Sequence, residues 1–127
     1  MEVKKIRFGF EDLKVWQKAV EFANKIIKLS EELKTNRRHY RLIEQLESSA
    51  TSIPMNIAEG KGRYSKKEFI QFLYIARGSL YETLTLLIIF YKNNWISEKQ
   101  LDEIKNFAEE ISKMLSGLLS SIKNSIN

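Results

Sequence analysis

Eight basic side chains fall in two short segments that hold no acidic residue. Lys34, Arg37, Arg38 and Arg41 lie within residues 34–41, and Lys61, Arg63, Lys66 and Lys67 within residues 61–67. Cations at this density suit phosphate oxygens, which guanidinium groups can grip bidentately. His39 and Tyr40 sit among the first group and add rings on which bases or guanidiniums can stack. A solvated loop accounts for either cluster as readily. The second cluster surrounds a predicted helix start, however, where the helix dipole does not favour cations.

The remaining charge points elsewhere. The 127 residues carry 21 Lys+Arg against 16 Asp+Glu, a formal net charge of +5. Without the eight clustered cations, 13 basic residues face 16 acidic ones, so the clusters supply the whole excess. Other chemistry finds little support. The absence of Cys excludes disulfides and thiolate sites, and a single His excludes paired-histidine metal motifs. A di-iron bundle needs Glu three residues before His, and Asn36 holds that place before His39. Gly60-Lys61-Gly62 follows a helical segment rather than a strand, unlike a phosphate loop. Glu59 and Glu82 adjoin apolar stripes and read as polar contacts to Arg63 or Arg77 rather than as an acid–base pair. No enzyme activity, metal or cofactor is expected.

Helical periodicity supplies the elements that carry these groups. Leu13, Trp16, Val20, Ala23, Ile27 and Ser30 step by threes and fours, predicting a helix over about 12–33. Ile43, Leu46, Ala50, Ile53 and Ile57 predict a second over about 38–59, with Gly60 as a left-handed cap. Pro54 within it predicts a kink, or two short helices broken at Ser52. Ser65 with Glu68, and Ser97 with Gln100, are capping boxes that open helices over about 66–92 and 98–123. The last has an unbroken stripe of Leu101, Ile104, Ala108, Ile111, Leu115, Leu118 and Ile122, beside a weaker row at Phe107, Met114 and Leu119. Short connections make successive helices antiparallel neighbours. The expected fold is all-α, one domain over 1–127, an up-down-up-down four-helix bundle kinked at Pro54.

The third helix is more apolar than one core stripe requires. Beyond Phe69, Phe72, Ala76, Thr83, Leu87 and Phe90, a second set that includes Tyr74, Tyr81, Leu84, Ile88 and Tyr91 needs cover. A symmetric subunit interface on this helix is the expected answer; a wide core stripe with tolerated surface aromatics is the alternative. No membrane span is expected, because the richest run, Leu80 to Tyr91, is interrupted by Glu82 and Thr83. Met1 to Phe10 has basic residues but no apolar stretch behind them, so no export signal is expected and a cytoplasmic location is.

One stretch is specific. Ser52-Ile-Pro-Met-Asn-Ile-Ala-Glu-Gly-Lys-Gly-Arg63, followed by Ser65-Lys-Lys-Glu-Phe69 and Ile75-Ala-Arg-Gly-Ser-Leu80, joins Phe10-Glu-Asp-Leu-Lys-Val-Trp-Gln-Lys-Ala19. Over about residues 8–123 this closely resembles the bacterial 23S rRNA-intervening sequence proteins. The resemblance implies an antiparallel four-helix bundle, a homopentamer, and genes often carried in insertions of 23S ribosomal RNA genes. A distant relative, the accessory variability protein of diversity-generating retroelements, works beside a reverse transcriptase and binds nucleic acid. The motif residues themselves read as scaffold: Pro54 redirects the helix, Asn56 and Glu59 bond across the bend or to the next helix, and Gly60 and Gly62 allow a tight reversal. Small Ala76, Gly78 and Ser79 allow a close helix approach. Members of the family often carry a basic pair before the Ser-Ile-Pro segment; here Glu44 to Ser49 holds none.

Together these features predict a non-enzymatic homo-oligomer that binds ribosomal RNA or another nucleic acid through Arg37, Arg38, Arg41, Lys61, Arg63, Lys66 and Lys67. The clusters stand about a helix length apart, so an oligomeric ring would repeat each as a basic rim. A scaffold for a protein partner such as a polymerase is the alternative.

Overall fold

The computed structural model of the chain describes residues 2–126, and the side chain of Arg37 lies outside the described residues. Among those residues the protein is all-α, with no strand. Its four helices are α1 (Lys14–Glu31), α2 (Tyr40–Lys61), α3 (Lys66–Lys92) and α4 (Glu98–Asn124), with 3-10 turns at Gly9–Asp12 and Arg37–His39.

The helix ends follow from local chemistry. The Ser97 hydroxyl accepts from the Gln100 N–H at 3.1 Å while the Gln100 side-chain oxygen accepts from the Ser97 N–H at 2.8 Å, completing a capping box. At Ser65 only half the box forms. Its hydroxyl accepts from the Glu68 N–H but donates to the Glu68 carboxylate, each at 3.1 Å, leaving its own amide outside the exchange. Asn94, at φ 64°, ends α3; the Trp95 N–H donates to the Phe90 carbonyl and the Asn94 N–H to that of Tyr91, a Schellman arrangement.

Each helix packs on its sequence neighbour, and α1 also meets α4. Lys18 lies 3.6 Å from Glu110 and Lys25 4.0 Å from Glu103, so rising numbers on α1 meet falling numbers on α4. The Ser49–Thr83 and Ser52–Ser79 hydroxyl pairs, at 2.8 and 2.9 Å, order α2 against α3 in the same sense. One continuous apolar core runs between the helices, with Phe22, Ile26, Leu46, Ile53, Leu80, Phe90, Ile111 and Leu115 wholly removed from solvent.

Two stripe assignments are corrected. On α1 the buried row is Val15, Ala19, Phe22, Ile26 and Leu29, with Ala23 beside it; Val20 is 39% exposed, and Leu13, Trp16, Ile27 and Ser30 are only half-buried. Two adjacent rows on α1 share the helical period, and the bulkier Phe22 row fills the core. On α4 it is Leu119, not Leu118, that is buried.

The glycine assignment is corrected too. α2 continues through Pro54 to Lys61; Gly60 is helical, and no glycine has a positive φ. Gly60 is required for a different reason. A Cβ there would stand 2.7 Å from the Phe72 Cβ and 2.9 Å from Phe69 Cδ1, so only hydrogen lets α2 and α3 meet this closely. Gly62 caps α2 at φ −81°, and a Cβ on Gly78 would meet nothing within 4 Å, so Gly78 makes no close helix approach within the chain.

A polar seam joins the same two helices. Ser49 and Thr83 are buried, and their shared hydrogen bond crosses the core. Asn56 donates to both the carbonyl and the hydroxyl of Ser52, each at 2.8 Å, and Ser52 bonds Ser79. Asn56 thus reaches across Pro54 as its position suggests, whereas Glu59 is exposed and, among the described residues, makes only a 4.0 Å ion pair with Arg63.

The helix α3, over an 18-residue stretch, is long and apolar enough to cross a membrane, whereas the Leu80–Tyr91 run alone is too short. Only 33% of that stretch is buried, and the Leu73, Ala76, Leu80, Thr83, Leu87 and Phe90 row of α3 lies wholly inside the bundle.

Candidate nucleic-acid interface

The two basic clusters lie at opposite ends of α2. That helix has 22 residues, which at 1.5 Å each separates its ends by about 33 Å. Several Debye lengths at physiological salt lie between them, so each acts as a separate patch. Arg38, Arg41, Lys61, Arg63, Lys66 and Lys67 are all exposed. Among the described residues, only Arg63 of these six has a carboxylate within 4.0 Å.

At the N-terminal end of α2, the rings divide into two kinds. Tyr40 is about half exposed, and the Arg41 guanidinium lies 5.9 Å from its ring centre with Nε donating to its hydroxyl at 3.4 Å. His39 is not free for stacking. Its ring sits 4.5 Å from that of Trp95, which in turn lies 4.9 Å from Phe90. This aromatic wedge ties the 34–41 loop to the α3–α4 turn, helped by a Lys34 N–H bond to the Trp95 carbonyl at 3.2 Å. The Arg38 N–H donates to the Asn36 side-chain oxygen, fixing the loop and leaving the guanidinium outside.

At the C-terminal end, the cations rest on structure. The Arg63 guanidinium stands 4.7 Å above the Phe72 ring, and Lys66 Nζ reaches the Ser125 carbonyl at 3.4 Å. Lys61 and Lys67 project without such supports among the described contacts. Tyr64, between the two helices, is fully exposed. Lys123 from the end of α4 belongs to the same pole, but it donates to the Tyr74 hydroxyl and lies 4.9 Å from that ring. The contact holds the Tyr74 hydroxyl below its usual pKa, through the Lys123 hydrogen bond first and the nearby charges of Lys123 and Arg77 after it.

The interface candidates on α3 separate into two groups. Leu84, Ile88 and Tyr91 are half-buried against the core, and Tyr74 lies between Lys123 and Arg77, the latter 4.8 Å from its ring. Tyr81, 51% exposed, is the one that projects freely. Ile75 and Ile89, which periodicity assigned to neither set, flank it on the outer face. Glu82 is exposed and forms no ion pair with Arg77 among the described residues, so the expected contact is absent.

Comparison with known proteins adds two findings. The family model described as 23S rRNA-intervening sequence protein matches residues 11–117. A crystal structure of a protein of unknown function from the S23 ribosomal protein family of Bacteroides thetaiotaomicron is 31% identical, with a TM-score of 0.76 over 83% of this chain and 97% of that one. No curated protein matches.

Proposed function

The chain belongs to the 23S rRNA-intervening sequence protein family, and from that premise we propose that it is a non-enzymatic homo-oligomer that binds RNA electrostatically, with little sequence readout. The observation that carries the reading is the pair of exposed cationic poles on a body otherwise slightly acidic. Phosphate contacts fall to Arg38, Arg41, Lys61, Arg63, Lys66 and Lys67, with Arg37 beside them in sequence. Lone poles with three or four cations bind weakly; copies arranged in a ring multiply them. Five copies is the number the family resemblance implies.

In the same reading the helices run up-down-up-down, as the Lys18–Glu110 and Ser49–Thr83 pairings support. Pro54 bends α2, because it lacks the N–H that the Ala50 carbonyl would accept. The free face of α3 at Ile75, Tyr81 and Ile89 is where copies meet, rather than a membrane surface, since the opposite row of α3 is locked in the bundle core. Light scattering should report an oligomer that Ile75→Glu with Ile89→Glu converts to monomer; a monomeric native protein overturns this assembly.

RNA affinity should fall steeply between low and moderate salt and collapse when both clusters are reversed in charge. Affinity indifferent to both overturns the electrostatic reading. The exposed α3 face also favours a second reading, a scaffold for a protein partner. Partners that remain bound after nuclease treatment would select it.

A further inference from the structure

A cavity of about 320 Å³ opens at the C-terminal pole of α2, between the ends of α2 and α4 and the start of α3. It is within the range of small-ligand sites, and larger than one nucleobase needs. Its floor is apolar, made by Leu13 from the turn before α1, Phe69 from α3, and Leu118 and Ile122 from α4. Its rim is cationic, with Lys61, Arg63 and Lys66 around the mouth. Tyr64 stands at the edge with its ring entirely in solvent.

This combination differs from a solvated basic loop. A loop that needed only solubility would not place three cations around an apolar hollow, nor leave a whole tyrosine ring unpacked beside it. Arg63 and Lys66 are also held at the mouth, one over the Phe72 ring and the other at the Ser125 carbonyl. Apolar depth bordered by positive charge matches a nucleotide, whose flat base seeks an apolar slot while its phosphate carries the negative charge. Duplex RNA keeps its bases stacked and cannot offer one; a single strand can.

We propose that this cavity receives one unstacked base of single-stranded RNA, with Tyr64 closing over its face and Lys61, Arg63 and Lys66 taking the flanking phosphates. The inference rests on the RNA-binding reading above and adds to it a preference for unpaired strands, which charge alone does not supply. One aromatic stacking contact contributes enough to separate base-bearing from base-free strands by about tenfold.

The test compares a short oligoadenylate with an abasic strand of equal length and charge, by fluorescence anisotropy at one salt concentration. The intact protein should bind the base-bearing strand about tenfold more tightly. Tyr64→Ala, at a side chain that supports no packing, and Leu118→Trp, which fills the hollow, should each erase that preference while leaving abasic binding unchanged. Equal binding of the two strands by the intact protein overturns the pocket and leaves the electrostatic reading standing. A preference that survives both substitutions also overturns it. Binding of neither strand overturns both.

Discussion

The two ends of α2 carry matching numbers of cations in the sequence, yet they are built differently. The N-terminal end is wedged by aromatic packing, His39 on Trp95 and Trp95 on Phe90, and its own hollow of about 350 Å³ sets the carboxylates of Glu32 and Glu98 beside Lys34. The C-terminal end is open, with a cavity behind its cations and an exposed Tyr64 in front. Equal charge therefore gives unequal surfaces. The hollow of the wedged pole is bordered by two carboxylates that disfavour an anionic ligand, whereas the lining of the open pole's hollow holds three cations and no carboxylate.

The strongest way to break the comparison is at Gly60, which sets the open pole by letting α2 and α3 converge. Gly60→Leu drives carbon into Phe72 Cβ, a backbone-proximal atom that cannot swing aside. Overpacking at such a site costs about 3 kcal/mol. Chemical denaturation should show that loss, with Gly62→Ala close to neutral, because a Cβ at Gly62 meets only carbonyl oxygens at 3.6 Å and beyond and its φ is ordinary.

Trp95→Ala tests the wedged pole. The half-buried indole is shared by His39 and Phe90, so its removal should destabilise the protein by about 2 kcal/mol. It should also loosen the 34–41 loop, seen as faster amide exchange at Lys34, whose N–H bonds the Trp95 carbonyl. An unchanged melting temperature would mean that the wedge is decoration.

Charge reversal sharpens the contrast further. Arg38→Glu with Arg41→Glu and Lys61→Glu with Lys66→Glu change net charge equally. Binding of an abasic strand should weaken about tenfold in either pair, while a base-bearing strand should lose more from the second pair. Identical losses for both strands would make the poles equivalent.

How much of this was legible beforehand depends on whether a feature is local. The Ser97 cap, the α4 row from Leu101 to Leu115 and the charge clusters are written within a few residues of one another, and four helices followed. The α1 row was misread because Leu13–Trp16–Val20 and Val15–Ala19–Phe22 share one period, and only partners on other helices decide which turns inward. Gly60 looked like a cap because it stands near a helix end; its real constraint, Phe72, lies on the next helix. Tyr64 gave a signal, an aromatic among four cations, but nothing along the chain reveals the hollow beside it. His39 and Trp95 meet only once the bundle has formed.

The smallest effect concerns Lys123, the cation of the open pole that the sequence clusters omit. Its hydrogen bond to Tyr74 favours the phenolate, so Tyr74 should ionise below the ordinary tyrosine range. The sign follows from linkage: a lowered pKa makes the contribution largest above the ordinary tyrosine range and removes it as pH falls through the lowered value. Ultraviolet titration should therefore resolve one early tyrosine, absent in Lys123→Met. Because this ammonium bonds Tyr74 and does not line the cavity, bound RNA should leave the early tyrosine in place. If binding instead moves it back to the ordinary range, Lys123 has left Tyr74 for a phosphate, and the open pole carries one more RNA contact than the cluster supplies.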